Sequence, residues 1–237
     1  MFKGFNNKQQ HGFPSLSFFG DKTAYGQSGC NFWLRADMGL NTQTNLAAIS
    51  RWVDIINGNI FEILTAGNQP RLLTSSVAYN NLPVVEFDSA LKVIPTISAQ
   101  PVTGVRSFAV IANYDVITTN NTILTNTGSG ASLVLGGSGA GVNGPGIQSA
   151  TANTYGTTDS ITVKICVFSD NLIMVNGVVE STATNTINFS FDRIGRGGSD
   201  SLAFRGKIAE IVGFSFPLNQ DQALAISTQL NQKYVIY

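Results

Sequence analysis

The stretch RGKIAEIVGFSFPLNQDQALAISTQLNQKY (residues 205–234) changes its period once, and the change decides how the chain is read. From Lys207 to Phe216 the residues alternate. Ile208, Val212, Phe214 and Phe216 share one parity, while Ala209, Ile211, Gly213 and Ser215 share the other. One bulky and one small face describe a strand with material packed on both sides. Pro217 has no N–H for a ladder, so the strand ends there. Asn219 then stands as an N-cap, Gln222 completes a capping box, and Leu218 is placed to staple onto Ala223. Ala223, Ile226, Leu230 and Tyr234 recur at helical spacing and form one apolar stripe that must lie on a core. The ending therefore predicts a sheet with a single helix laid on it.

Working back from this ending, short strands alternate with turn chemistry. PVVEF (83–87), VRSFAVIANY (105–114), TILT (122–125) and SLVLG (132–136) all read as strands. In ITVKICVFSDNLIMVNGVVEST (161–182), Ile161, Val163, Ile165 and Val167 alternate with Thr162, Lys164 and Cys166, which predicts a strand with one core face. SDN turns that strand, and Asn176–Gly177 is a type I′ hairpin signal because both positions tolerate positive φ. NLAAISRWVD (45–54) fits either a helical turn or the start of a strand. The glycine-rich GSGASLVLGGSGAGVNGPG (128–146) lacks the lysine and the following helix that a phosphate loop needs, so it reads as a loop between strands.

Composition narrows the function classes. The chain has 237 residues, 12% of them charged, with Lys+Arg 14 balanced by Asp+Glu 14. Nucleic-acid binding needs a concentrated cationic surplus, and none is present. The surface must be built from Asn, Thr, Ser, Gln and Gly. Two cysteines, Cys30 and Cys166, are too few for a disulfide framework, and Cys166 reads as an inert buried thiol. Pro14, Ser15 and Ser17 interrupt the N-terminal apolar run, so no signal peptide is expected, and no run is long enough to insert in a membrane. Residues 1–29 form a separate segment. Phe2, Phe5, Phe13, Phe18 and Phe19 fit no period and read as an extended arm, either wrapped on its own domain or anchored on a neighbouring subunit.

Several blocks then line up in order: FWLRADMG (32–39), ISRWVD (49–54), QPRLL (69–73), LPVVEFD (82–88), RSFAVIA (106–112), IMVNG (173–177), RIGRGG (193–198) and the ending from Phe204. Together they resemble the concanavalin A-like, laminin-G-like jelly-roll domains found in bacteriophage virion proteins and bacterial surface proteins. The resemblance covers 30–237. It implies an all-β fold of two antiparallel sheets in a jelly-roll sandwich, with a short C-terminal helix and the N-terminal arm outside it.

That resemblance also raises catalysis, because similar glucanases carry Glu-x-Asp-x-Glu along one strand. Here Glu86-Phe87-Asp88 is followed by Ala90 and Leu91 where the second Glu belongs, so the two-carboxylate mechanism lacks a partner. His11 is the only histidine and lies in the arm, which removes a Ser-His-Asp triad or a His-rich metal site. No cofactor is expected; calcium is the one ion the resemblance leaves open. Glu210, the one charge on the bulky parity of the last strand, predicts a structural ion pair with Arg35 or Arg51.

The expectation is therefore a non-enzymatic phage virion structural protein, a capsid decoration, head fibre or tail component assembled in the host cytoplasm. Its partners would be other virion proteins or copies of itself. The alternative is a glycan-binding module of a surface adhesin or receptor-binding protein, extracellular or at the cell surface, with Tyr25, Tyr79, Tyr114 and Tyr155 as candidate stacking residues for a host glycan.

Overall fold

The computed structural model describes residues 22–88, 94–95, 101–115, 121–129, 131–136, 144–148, 153–157, 161–182, 187–195 and 204–237. The first part of the chain contributes β1 (Cys30–Arg35), β2 (Arg51–Val53), β3 (Ile60–Glu62), β4 (Arg71–Ser76), β5 (Leu82–Phe87) and β6 (Ile94–Pro95). The middle adds β7 (Val102–Val105), β8 (Ser107–Tyr114), β9 (Thr122–Thr125), β10 (Ser132–Val134), β11 (Gly146–Gln148) and β12 (Asn153–Tyr155). The last part adds β13 (Lys164–Ser169), β14 (Leu172–Val175), β15 (Val178–Ser181), β16 (Phe189–Phe191), β17 (Arg193–Ile194), β18 (Gly206–Phe214) and α1 (Gln220–Tyr234).

These strands form an antiparallel jelly-roll sandwich. The eight-stranded sheet runs β15-β14-β13-β8-β18-β5-β4, with β1 also paired to β18. A six-stranded sheet, β12-β11-β10-β9-β17-β6, faces it, and β16-β7 and β2-β3 form two small ribbons. The core between the sheets is aromatic: Phe32, Phe61, Phe108, Phe189 and Phe191 meet mostly edge to face, with Phe32 and Phe191 centroids 4.8 Å apart. Edge-to-face contact sets a ring's positive rim against its neighbour's negative face.

A second apolar layer lies on the other side of the eight-stranded sheet. Ala109, Ile111, Ile165, Val167, Val212 and Phe214 join Ala223, Ile226, Leu230 and Tyr234 of α1 there. The helix forms as its sequence predicts. The Asn219 side chain accepts from the Gln222 N–H at 2.9 Å, and the Gln222 side chain accepts from the Asn219 N–H at 3.0 Å. Leu218 is buried in the same layer as Ala223. Burying Ile226 and Leu230 stabilises the helix by roughly 1.5–3 kcal/mol each, whereas Leu224, off the stripe, is 43% exposed.

Two features depart from plain alternation. A register shift between Ile208 and Glu210 places a bulge at Ala209. The bulge inverts the faces of β18: Ile208 and Ile211 point into the core between the sheets, while Val212 and Phe214 point to the helix. The partner of β18 changes at the same point, from β5 (Gly206–Ile208) to β1 (Glu210–Phe214). The predicted one-sided strand at 161–167 is also corrected. The strand begins at Lys164, Ile161 is 51% exposed, and both faces of β13 are buried because the helix layer covers the face away from the sandwich.

The hairpin at Asn176–Gly177 is as expected, with φ of 49° and 78°. The ambiguous 45–54 stretch becomes β2, preceded by residues that bond to β4 through Leu46 N–H to Leu72 O and Leu72 N–H to Ala47 O. The described part of the glycine-rich stretch forms β10 and the start of β11, paired antiparallel from Ser132–Gln148 to Val134–Gly146.

Candidate functional site

The bulge at Ala209 aims Glu210 away from the sandwich and into the space between β18, β1 and α1. Its side chain is fully buried. Oε1 accepts from the indole N–H of Trp33 at 2.6 Å and from the Tyr25 hydroxyl, while Oε2 accepts from Lys233 Nζ and the Tyr234 hydroxyl, each at 2.8 Å. A buried carboxylate is tolerated only when its charge and lone pairs are both satisfied, and this one has a cation and three neutral donors.

Glu210 does carry an ion pair, but its cation is Lys233; the expected partners Arg35 and Arg51 are not bonded to it. Arg35 lies directly across the ladder from Glu210, yet its guanidinium forms a two-point bond with Asp37 (2.9 and 2.6 Å) and sits 5.4 Å from the centre of the Trp33 ring. Arg51 belongs to β2, and its buried Nε has no hydrogen-bond partner. Lys233 escaped notice in the sequence because it lies beside the apolar stripe, one residue before Tyr234.

The cluster joins three parts of the chain: the 22–29 turn, the sheet and the last turn of α1. Burial, then the Glu210 charge, hold the Tyr25 and Tyr234 phenols well above the usual tyrosine range. A second buried carboxylate, Asp54, is likewise consumed locally. It accepts from the N–H groups of Trp33, Ile56 and Asn57 and from Asn59 Nδ2, and burial pushes its pKa up. Burial also pushes the Cys166 thiol up to about 12, as an inert thiol requires.

The four candidate stacking tyrosines do not come together. Tyr79 and Tyr114 are fully buried. Tyr79 donates to Asn113 Oδ1 at 2.8 Å and to the Lys207 carbonyl at 3.0 Å, and Tyr114 lies under the buried Lys164 ammonium, 4.5 Å from its ring centre. Tyr25 is half-buried at Glu210, and Tyr155 is half-buried with its hydroxyl accepting from Gln148 Nε2. Phe2, Phe5, Phe13, Phe18 and Phe19 lie outside the described residues. Glu86 is paired across the sheet with Arg71 at 2.5 Å and Lys207 at 3.5 Å. Among the described residues, no group of three or more His, Cys, Asp or Glu could hold a metal ion, and no helix is long and apolar enough to cross a membrane.

An open groove missed by sequence reading lies where the β13–β14 turn meets the run into α1. Its volume is about 410 Å³, and Asp170, Asn171, Leu172 and Thr182 line it opposite Pro217–Gln220. Asn171 adopts φ 62°, which turns β13 into β14. The Ser169 hydroxyl donates to the Leu218 carbonyl at 2.9 Å and so ties the two walls together. Asp170 is engaged by Arg106 and by the Ile187 N–H.

Fold and site define an antiparallel two-sheet jelly-roll domain sealed on one face by a terminal helix. No protein-family model matches the sequence, and no curated protein matches it. Among solved structures, it is similar to domain 4 of AbnA, a GH43 extracellular arabinanase from Geobacillus stearothermophilus in complex with arabinotriose. That likeness has a TM-score of 0.54 at 16% identity and covers 77% of this chain and 98% of the domain. An arabinofuranosidase complexed with arabinofuranosyl-alpha-1,2-xylobiose aligns with a TM-score of 0.52 at 16% identity, over 79% of this chain and 51% of that one. A Trypanosoma rangeli sialidase in complex with sialic acid gives 0.49 at 15% identity, over 89% of this chain and 34% of the sialidase. This chain therefore spans about half of the arabinofuranosidase and about a third of the sialidase. At 16% identity, the arabinanase domain and the arabinofuranosidase share the sandwich fold with this chain. Nothing in these comparisons supports a phage structural role.

Proposed function

We propose that this chain is a non-catalytic recognition domain for neutral glycans. The observation that carries the reading is the likeness to a whole domain, with 98% of it covered, whose structure is in complex with arabinotriose. The chain's own chemistry is consistent with it. Net formal charge is zero, and polar side chains are mostly amides and hydroxyls, which bond sugar hydroxyls without the desolvation cost of free charges. Among the described residues, the two fully buried carboxylates, Glu210 and Asp54, are held by the protein's own donors, and Glu86 is paired with two cations. A retaining or inverting glycosidase needs two carboxyl groups facing one bond. Screening the full chain on an array of neutral glycans tests this reading. Saturable binding without release of reducing sugar is the expected result, and an array with no signal would overturn it.

A second reading, a virion structural component bound to copies of itself or to other virion proteins, is favoured by one observation: the sequence places five phenylalanines, at 2, 5, 13, 18 and 19, within its first 19 residues. Large rings are typical interface anchors. Removing residues 1–21 and measuring mass by sedimentation tests it. Loss of oligomers supports the docking arm, and an unchanged mass removes it.

A further inference from the structure

The groove between the β13–β14 turn and the start of α1 has features that the buried clusters lack. Its floor is apolar: Leu172 and Leu218 are only 6% and 3% exposed and belong to the core layer under the helix. Its rim is neutral and exposed, with an amide from Asn171, a hydroxyl from Thr182 and an amide from Gln220. The one carboxylate in the wall, Asp170, is neutralised by Arg106 and bonded by the Ile187 N–H. The walls are fixed before any ligand arrives, by the Ser169–Leu218 bond, by the Ser107 hydroxyl on the Phe216 carbonyl at 2.8 Å, and by the capping box at Asn219. A pre-organised wall spares the ordering cost of binding.

We propose that this groove is a binding site for a neutral, hydroxyl-rich ligand, one or two rings of an oligosaccharide, in a step that rests on the glycan-binding reading above. A sugar ring seats over the narrow exposed edges of Leu172 and Leu218, and its hydroxyls reach the exposed Asn171, Thr182 and Gln220 side chains. About 410 Å³ falls in the range of roughly 300–1,000 Å³ usual for small-ligand sites. With no unpaired charge in the wall, binding depends little on salt.

The test is calorimetric titration of the full chain with arabinotriose, xylotriose and cellotriose. It compares the native protein with Thr182→Trp and Gln220→Trp, which fill the groove from exposed positions, and with Asn171→Gly, which keeps the positive φ and removes the amide. The expected result is a loss of affinity of at least about tenfold in both tryptophan variants, a smaller loss in Asn171→Gly, and thermal unfolding within a degree or two of native for all three. If native protein binds a trisaccharide and both tryptophan variants bind it equally well, the glycan reading stands and the groove assignment falls. If the native protein binds none of them, both fall together. Affinity that drops steeply with added salt would contradict the neutral character of the site.

Discussion

Glu210 shows what a single residue can decide. Its burial was legible, because a lone charge on an apolar parity must find a partner, but the identity of the partner was not. Arg35, the nearest cation across the ladder, is held by Asp37, and the bond goes instead to Lys233 from the far end of the helix. Lys233→Ala strands a carboxylate with zero exposure and should cost about 2–3 kcal/mol in urea unfolding, below the range for a fully buried pair because the lysine is partly exposed. A loss under about 0.5 kcal/mol would show that the neutral donors suffice.

The tyrosines add a pH dependence with a definite sign. Tyr25, Tyr79 and Tyr234 keep their protons in the folded state far above the value of 10.0 expected of a free phenol. Their contribution is complete below about pH 10. Above it the unfolded chain binds fewer protons than the folded one, so stability falls as pH rises, by up to about 1.4 kcal/mol per pH unit for each phenol. Comparing urea midpoints near pH 9 and pH 11 should reveal the fall, and Tyr234→Phe should make it shallower. A flat profile would contradict the assignment of buried, protonated phenols.

At the scale of elements, α1 and β18 illustrate opposite outcomes. The helix was readable in detail, since its cap, capping box and stripe are all local signals. Leu230→Ala should cost about 2–5 kcal/mol, Asn219→Ala about 1 kcal/mol, and Leu224→Ala less than about 0.5 kcal/mol; equal losses at positions 224 and 230 would contradict the packing described. The strand was readable in extent but not in its faces, because one bulged residue reverses every side chain beyond it. Nothing in alternation marks Ala209 as the extra residue. Gly206, at the start of the same strand, answers to a close approach that alternation does not show: a Cβ there would lie 2.0 Å from the Asn113 carbonyl oxygen. The face count of β13 failed for a related reason. A helix covering the outside of a sheet turns alternating strands into strands buried on both sides.

At the scale of the molecule, the sandwich and its terminal helix followed from strand length, turn chemistry and the final change of period. The proposed groove did not, because residue type alone cannot show which tyrosines the fold leaves exposed. Two of the four tyrosines fill the interior and the other two hydrogen-bond within the chain, while the groove is assembled from Asp170–Leu172, Thr182 and Pro217–Gln220, segments that only the fold brings together. On the proposed reading, the molecule offers a surface of zero net formal charge, with the buried acids Glu210 and Asp54 held by the protein's own donors. Saturation-transfer NMR of the full chain with arabinotriose, xylotriose and cellotriose tests that account most directly. Magnetisation passing from protein to sugar, with the anomeric signals unchanged over the incubation, is the predicted result; no transfer, or new reducing-end signals, would contradict it.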